Sequence, residues 1–117
     1  MTAKELNLKL IAAFPELTRA YREQTDWQEG DDTGSHVVYG DVLVPAMLAF
    51  LKSDNCHSMK KYFDFLETLL LTGDEYAVDV VATTVIESIA YDDNADENKI
   101  KPLLGVETLK IWESYKK

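Results

Sequence analysis

The segment DEYAVDVVATTVIESIA, from Asp74 to Ala90, decides the fold. Its apolar pattern keeps a helical period over a run that is too long for a strand, so a helix is favoured over a buried strand formed by VDVVATTV. Asp74 stands where a helix N-cap is expected. The apolar face is so wide that other elements must cover it on more than one side, which predicts a central helix. That face comprises Ala77, Val78, Val81, Ala82, Val85, Ile86, Ile89 and Ala90.

Two helices that meet at a bend are predicted at the N-terminus. Thr2 and Glu5 have the spacing of a capping box, and the apolar residues that follow fall on one helical face. Pro15 restricts Phe14 to an extended conformation. The first helix should therefore end near Phe14, and the second should run from Pro15 to about Asp26.

A loop, a short extended piece and a helix are predicted next. Residues 28–35, QEGDDTGS, have the composition of an exposed loop. His36–Tyr39 is expected to be extended. Asp41 is expected to cap a helix that runs through Leu51, with Pro45 tolerated in or near its first turn.

Two further helices complete the prediction. Asp54 or Asn55 should cap an amphipathic helix that Gly73 ends in a left-handed conformation. Beyond the central helix we expect a short turn near Ile100 and then a last helix. The apolar face of that last helix comprises Val106, Leu109, Trp112 and Tyr115.

Helices joined by short turns, without a convincing pair of strands, predict an all-α fold. We expect a compact helical bundle of about five to six helices, with the three central helices stacked as antiparallel neighbours in a HEAT-like arrangement. A chain of 117 residues is long enough for one core and too short for two. Residues 1–117 are therefore expected to form a single helical domain.

The chain is acidic, with 21 Asp and Glu residues against 12 Lys and Arg residues and a formal net charge of −9. Affinity for phosphate backbones comes largely from Lys and Arg, so this balance argues against a nucleic-acid-binding protein. A charged partner should be basic. An acidic surface that only keeps the protein soluble is the alternative.

The expected location is the cytoplasm. No apolar run approaches the ~20 residues of a membrane span, and the N-terminal MTAKELNLKL lacks the unbroken apolar segment of a signal peptide. The single cysteine, Cys56, cannot form an internal disulfide, and its neighbour His57 points away from it on a helix, so the thiol is expected to be inert. We expect a protein that binds no membrane and is monomeric when free.

No motif specifies a reaction, a metal or a cofactor. The sequence DDNADEN places Asp92, Asn94 and Asp96 at the first three ligand positions of an EF-hand, but the glycine of the sharp turn and the closing glutamate are missing. One cysteine and two histidines do not make a clustered zinc site. His36 is either a general base or a packed or surface histidine. We predict no catalytic residue, no metal and no cofactor, with a metal-dependent hydrolase as an alternative.

The acids are concentrated in two stretches that contain no Lys or Arg. The first lies between Arg22 and Lys52, and the second ends before Lys99. Because unpaired like charges repel one another, a basic partner explains this placement better than folding does. Trp27 and Tyr39 flank the first run of acids and are either anchors of a binding surface or core residues. The predicted partner-binding residues are Glu23, Asp26, Trp27, Glu29, Asp31, Asp32, Tyr39, Asp92, Asp93, Asp96 and Glu97.

Five segments carry a resemblance to a known kind of protein. They are FPEL (14–17), YGDVLVPAMLAFL (39–51), FDFLETLL (63–70), VVATTVIESIAYD (80–92) and LLGVETLKIWE (103–113). Together they resemble a family of small bacterial helical domains associated with toxin–antitoxin-like loci of interbacterial competition. In such loci, small acidic proteins act as immunity proteins for contact-dependent toxins. The resemblance rests on packing motifs across most of the chain and implies no catalytic residue.

The resemblance and the charge together predict a cytoplasmic immunity protein. It would bind and neutralise a cognate contact-dependent growth inhibition (polymorphic) toxin, expected to be a nuclease, by covering the toxin's basic surface with acidic loops. A helical adaptor or regulatory protein-interaction module is the alternative from another class.

Overall fold

The computed structural model describes residues 1–53 and 55–116, and within these residues the regular structure is helical throughout. In chain order the helices are α1 (Ala3–Ala13), α2 (Thr18–Thr25), α3 (Ser35–Val38, Tyr39–Leu43 and Val44–Lys52, joined end to end), α4 (Cys56–Leu71), α5 (Glu75–Asp79, Val80–Ile86 and Glu87–Ala90, joined end to end), α6 (Glu97–Ile100) and α7 (Val106–Tyr115). Short 3₁₀ turns occupy Pro15–Leu17, Gly30–Asp32 and Lys101–Leu103. Asp54, predicted as a possible cap, lies outside the described residues, and the side chain of Cys56, whose thiol was predicted to be inert, is likewise not described.

The predicted caps are confirmed at the starts of α1, α4 and α5. Side-chain oxygens of Thr2, Asn55 and Asp74 each accept a hydrogen bond from the amide three residues later. Glu5 completes the capping box by accepting from the amide of Thr2 at 3.1 Å. Gly73, with φ of 70°, ends α4 in the left-handed region that glycine adopts without strain.

Helix α3 differs from its prediction at its start. The expected extended piece His36–Tyr39 is helical, and the helix begins at Ser35 instead of near Asp41. Its middle part, Tyr39–Leu43, is a π-helical turn in which the amide of Val44 donates to the carbonyl of Tyr39. Pro45 has no N–H, and its ring crowds the carbonyl four residues earlier. The wider π turn just before Pro45 accommodates this defect, so one helix continues where two elements were predicted.

Helix α5 is the predicted central helix, and its centre is also a π-helical stretch, Val80–Ile86. The carbonyl of Ala82 accepts the amide of Glu87, five residues later. It also accepts the hydroxyl of Tyr115 from α7 at 2.9 Å. A side chain from another helix therefore helps to hold the carbonyl that the wider turn displaces.

One buried hydrophobic cluster receives residues from all seven helices, and α2, α6 and α7 contribute one residue each, Tyr21, Ile100 and Trp112. Helices α3, α4 and α5, expected to stack as neighbours, pack against one another, and α7 packs on α4 and α5. The close approach of α3 to α5 uses Gly40, where a Cβ would lie 3.3 Å from a methyl carbon of Thr84. Val106 is 69% exposed, so the predicted apolar face of α7 does not include it.

The all-α fold is confirmed. By length and composition alone, Ser35–Lys52 would also qualify as a membrane span, although 44% of this window is buried inside the fold. The sequence-based statement that no apolar run approaches such a length is therefore corrected for this segment. The apolar residues of α3 line the core, and the cytoplasmic location stays a prediction.

Candidate functional site

The first acidic stretch forms a defined loop between α2 and α3. It begins with a turn in which the amide of Gln28 donates to the carbonyl of Thr25, and it continues as the 3₁₀ turn Gly30–Asp32. Gly30 has a φ of 58°, in the left-handed region, so glycine is required there for an unstrained turn. The hydroxyl of Thr33 donates to the carbonyl of Gly30 and closes the loop at 2.7 Å.

Asn7 of α1 holds this loop in place from the interior of the fold. Its side chain is fully buried, and its amide nitrogen donates to the carbonyls of Asp31 at 3.0 Å and Thr33 at 2.7 Å. Its amide oxygen accepts the hydroxyl of Ser35 at 2.8 Å. A buried amide that satisfies backbone carbonyls on a distant loop fixes the shape of that loop. Sequence reasoning missed Asn7, and its only signal was a polar residue beside the buried stripe of α1.

Asp31 belongs to the support of the loop. One carboxylate oxygen accepts the hydroxyl of Tyr21 at 2.6 Å and lies 3.2 Å from the Arg22 guanidinium. Burial, followed by the hydrogen bond to Asp31, raises the pKa of Tyr21, so this hydroxyl remains a donor. Asp31 is therefore a weaker candidate for a partner contact than the neighbouring acids of the loop, because its carboxylate already has partners within the protein.

The remaining acids of the loop face solvent. Asp26, Glu29 and Asp32 are exposed, and within residues 1–53 and 55–116 none of the three makes an ion pair. Glu23 pairs with Arg19 at 3.2 Å, but both side chains are largely exposed, and such pairs contribute little. Among the described residues, these three carboxylates of one loop have no compensating cation.

The two predicted aromatic anchors behave differently. Trp27 lies in the turn between Asp26 and Glu29 and is 72% exposed. Tyr39 is fully buried in α3, and its hydroxyl donates to the carbonyl of Leu6 at 2.7 Å. The prediction that Tyr39 contacts a partner is therefore wrong, because its apolar ring and its hydroxyl are both satisfied inside the core.

Comparison with known protein families gives one match. The model of the family described as "Domain of unknown function (DUF7674)" matches residues 7–117, which is nearly the whole chain. The chain belongs to the DUF7674 family. No curated protein and no solved structure matches it.

The second acidic stretch of this DUF7674 domain is partly explained by its local structure. Asp92 accepts the amide of Asn94 at 2.9 Å in a side-chain turn, and Asp96 caps α6 by accepting the amide of Asn98 at 3.0 Å. Tyr91, just before this stretch, is 62% exposed. Because two of its four acids have a role in folding, this stretch is a weaker indication of a partner than the first.

His36 of the DUF7674 domain is neither buried nor isolated. Its Nδ1 lies 2.5 Å from the Thr84 hydroxyl, and its Nε2 lies 3.0 Å from a carboxylate oxygen of Asp79. In the described part of the chain, no group of three or more His, Cys, Asp and Glu side chains has the arrangement of a metal site. A surface depression of 380 Å³ lies instead along the first half of α4 and is lined by His57, Ser58, Lys60, Lys61 and Asp64.

Proposed function

We propose that this DUF7674 domain is a protein-binding inhibitor that covers a basic surface of its partner, and that it acts as an immunity protein toward a cognate toxin. The observation that carries the proposal is Trp27, a large aromatic side chain held 72% exposed in the middle of a loop with unpaired carboxylates. Exposed tryptophan is disfavoured in water, and tryptophan is over-represented among the residues that contribute most to protein interfaces.

The loop is also ordered in the free protein. Asn7 and Ser35 hold its backbone from inside the fold, and the amide of Ser35 donates to the hydroxyl of Tyr76 on α5 at 2.9 Å. A loop that is already ordered loses little conformational entropy on association. An ordered loop with an exposed anchor therefore supports docking better than a solubilising role, for which order offers no advantage.

The charge supports a partner with a basic surface. Asp26, Glu29 and Asp32 lie close together in the chain, and no Lys or Arg occurs between Arg22 and Lys52. A nuclease toxin must present Lys and Arg to its phosphate substrate. An acidic inhibitor that approaches such a surface is steered to it by long-range attraction, and it competes with the substrate for the same cations.

The test is co-expression in bacteria with toxin domains encoded beside the gene for this chain. The wild-type protein should restore growth against one toxin, and Trp27→Ala should abolish or strongly weaken the rescue. Loss of a central tryptophan at an interface typically costs 2 kcal/mol or more in binding. Tyr91→Ala is the matched control, since it removes an exposed aromatic side chain outside the loop and should leave rescue intact.

Two results would contradict the proposal. Rescue by Trp27→Ala at wild-type level would remove the loop from the interface. Absence of rescue against every neighbouring toxin, together with capture of a non-toxin protein through Trp27, would favour the alternative of a helical adaptor module.

A further inference from the structure

A hydroxyl, an imidazole and a carboxylate form a continuous chain of hydrogen bonds on the face shared by α3 and α5. Thr84 Oγ1 lies 2.5 Å from His36 Nδ1, and His36 Nε2 lies 3.0 Å from Asp79 Oδ2. A carboxylate can only accept, so Nε2 carries the proton that points to Asp79. In the neutral imidazole Nδ1 then carries a lone pair, and the Thr84 hydroxyl donates to it. This is the arrangement of a nucleophile, a base and a residue that orients the base.

The two helices hold this chain at their irregular turns. Thr84 belongs to the π-helical stretch of α5, and His36 precedes the π-helical turn of α3 by one helical turn. Gly40 allows the helices to approach closely beside Thr84, and the ring of Tyr76 packs edge-on against the imidazole with centroids 6.1 Å apart. π-helical turns within α-helices occur frequently at functional sites.

We propose that Thr84, His36 and Asp79 form an acyl-transfer site that hydrolyses small carboxylic esters. Thr84 Oγ1 is the nucleophile, His36 is the general base and acid, and Asp79 is a positioning residue that fixes the tautomer and orientation of the imidazole. The side chain of His36 is 42% exposed and Thr84 is half-buried, so a small ester can approach the hydroxyl from the exposed side of the imidazole.

The reaction balances with water as the only co-reactant. Thr84 Oγ1 forms a bond to the carbonyl carbon of the ester while its proton passes to His36 Nδ1. The carbon–oxygen bond to the alcohol then breaks, and the leaving oxygen takes the proton from Nδ1. Water attacks the acyl-threonine next and gives its proton to Nδ1. The acid leaves as Thr84 Oγ1 recovers that proton, which restores the starting state.

The expected rates are modest because the site is open. Asp79 is 58% exposed, so water competes for its bond to His36 and solvates the oxyanion that forms on the substrate. A single preorganised donor to that oxyanion typically accelerates acyl transfer by about 10²–10³-fold, and an open site forgoes such a contribution. Base catalysis by His36 supplies about 10²–10⁴-fold.

The test uses p-nitrophenyl acetate with the purified full-length chain. Wild type and Thr84→Ser should release p-nitrophenol in a burst and carry an acetyl group on the peptide that contains position 84. That adduct should be removed by hydroxylamine, which cleaves an ester and leaves an acetylated lysine intact. Thr84→Val and His36→Gln should lower the acylation rate by about 100-fold while unfolding at wild-type temperature.

His57 provides the matched control because it is the other histidine of the chain and is exposed on α4. His57→Gln should acylate at the wild-type rate. Asp79→Asn should slow acylation, and Asp79→Glu should restore part of the rate, which a merely structural role would not predict. Equal rates in wild type, His36→Gln and Thr84→Val, or acetyl groups found on lysines alone, would overturn the site. If Thr84→Val fails to fold, absence of the ester adduct from wild type and Thr84→Ser is decisive on its own.

Discussion

Glu67 on α4 caps the N-terminus of α7 through Thr108. One carboxylate oxygen accepts the amide and the hydroxyl of Thr108 at 2.8 and 2.5 Å, and the other accepts the amide of Glu107 at 3.0 Å. Helix α7 starts after Gly105, which has no side chain to bond these amides. A Cβ at Gly105 would lie 2.4 Å from the carboxylate carbon of Glu67. The carboxylate of a different helix therefore occupies the position of an N-cap side chain.

Glu67→Ala and Gly105→Ala should destabilise the protein through the same loss. Either change removes the carboxylate from the amides of α7, the second because the new methyl group displaces the side chain. Hydrogen bonds to a charged group contribute roughly 1.5–3 kcal/mol. We therefore expect each single variant to lower the free energy of unfolding, measured in urea, by about 2 kcal/mol. The double variant should lose much less than the sum, since both changes break one interaction. Additive losses would contradict this common cause.

The contribution of Glu67 should depend on pH. Burial raises the pKa of its carboxyl, but the bonds from Thr108 and from the Glu107 amide outweigh it, so the pKa lies below the ordinary 4.5. A lowered folded-state pKa stabilises the protein above the unfolded value, and this stabilisation is lost as the pH falls through the folded value. The gap in unfolding free energy between wild type and Glu67→Gln should therefore be constant near pH 7 and shrink below about pH 4.5. A gap that stays constant down to about pH 3 would contradict this contribution of the Glu67 carboxylate.

Asn7→Ala should destabilise both the fold and the acidic loop. It leaves the carbonyls of Asp31 and Thr33 and the hydroxyl of Ser35 without their buried partner, and each unsatisfied group costs about 1–3 kcal/mol. We expect a loss of about 3 kcal/mol or more in chemical unfolding. Amide hydrogen exchange should accelerate most in residues 30–35. Asn98→Ala, a change at an exposed asparagine, should leave both measurements near wild type.

The core should depend on the middle of α4 and α5. Leu66 and Val85 are both fully buried. Leu66→Ala should cost roughly 2–5 kcal/mol, because a cavity adds to the lost burial. Val85→Asp should prevent folding, because it places an unpaired charge among apolar side chains. Thermal unfolding followed by circular dichroism checks both, and wild-type melting of either variant would contradict the assigned faces. Leu71→Ala, at a position 68% exposed, serves as the control.

If the proposed toxin is the partner, its association with this protein should depend on the loop charges and on salt. Neutralising Asp26, Glu29 and Asp32 to Asn or Gln should slow association at low salt by about 10-fold or more. At ~1 M salt the screening length falls to about 3 Å, so the difference should largely disappear. Asp31 is left intact because it supports the fold.

Stopped-flow association rates at two salt concentrations make this measurement. The matched control neutralises three exposed acids outside the loop, Asp64, Glu75 and Glu113. It changes the net charge by the same amount as the loop variant. Equal slowing by both triple variants would assign the effect to net charge and contradict a defined docking loop. Unchanged rates in the loop variant would direct the search to the stretch from Asp92 to Glu97.

Local signals in the sequence determined most of the helices. The capping box at Thr2, the cap at Asp74 and the left-handed Gly73 act within one turn of chain, so residue spacing alone identifies them. The same holds for the wide apolar face of α5, because a helical period is a property of consecutive residues. The prediction failed at the start of α3. Pro45 and Asp41 indicated a new helix there, and the sequence pattern has no signal for a π turn that lets one helix continue past a proline.

Tertiary structure alone decided which polar and aromatic side chains are exposed to solvent and which are buried and hold other parts of the fold in place. The sequence did not distinguish Trp27 from Tyr39 as an anchor or a core residue. In the fold Trp27 is exposed, whereas Tyr39 is buried and its hydroxyl donates to a carbonyl of α1. Asn7 and Glu67 are ordinary helix residues until the fold brings a loop and a helix terminus within hydrogen-bonding distance, 24 to 41 residues away in the chain. The physical reason is that a buried polar group needs a partner, and spacing within one helix cannot specify a partner on another.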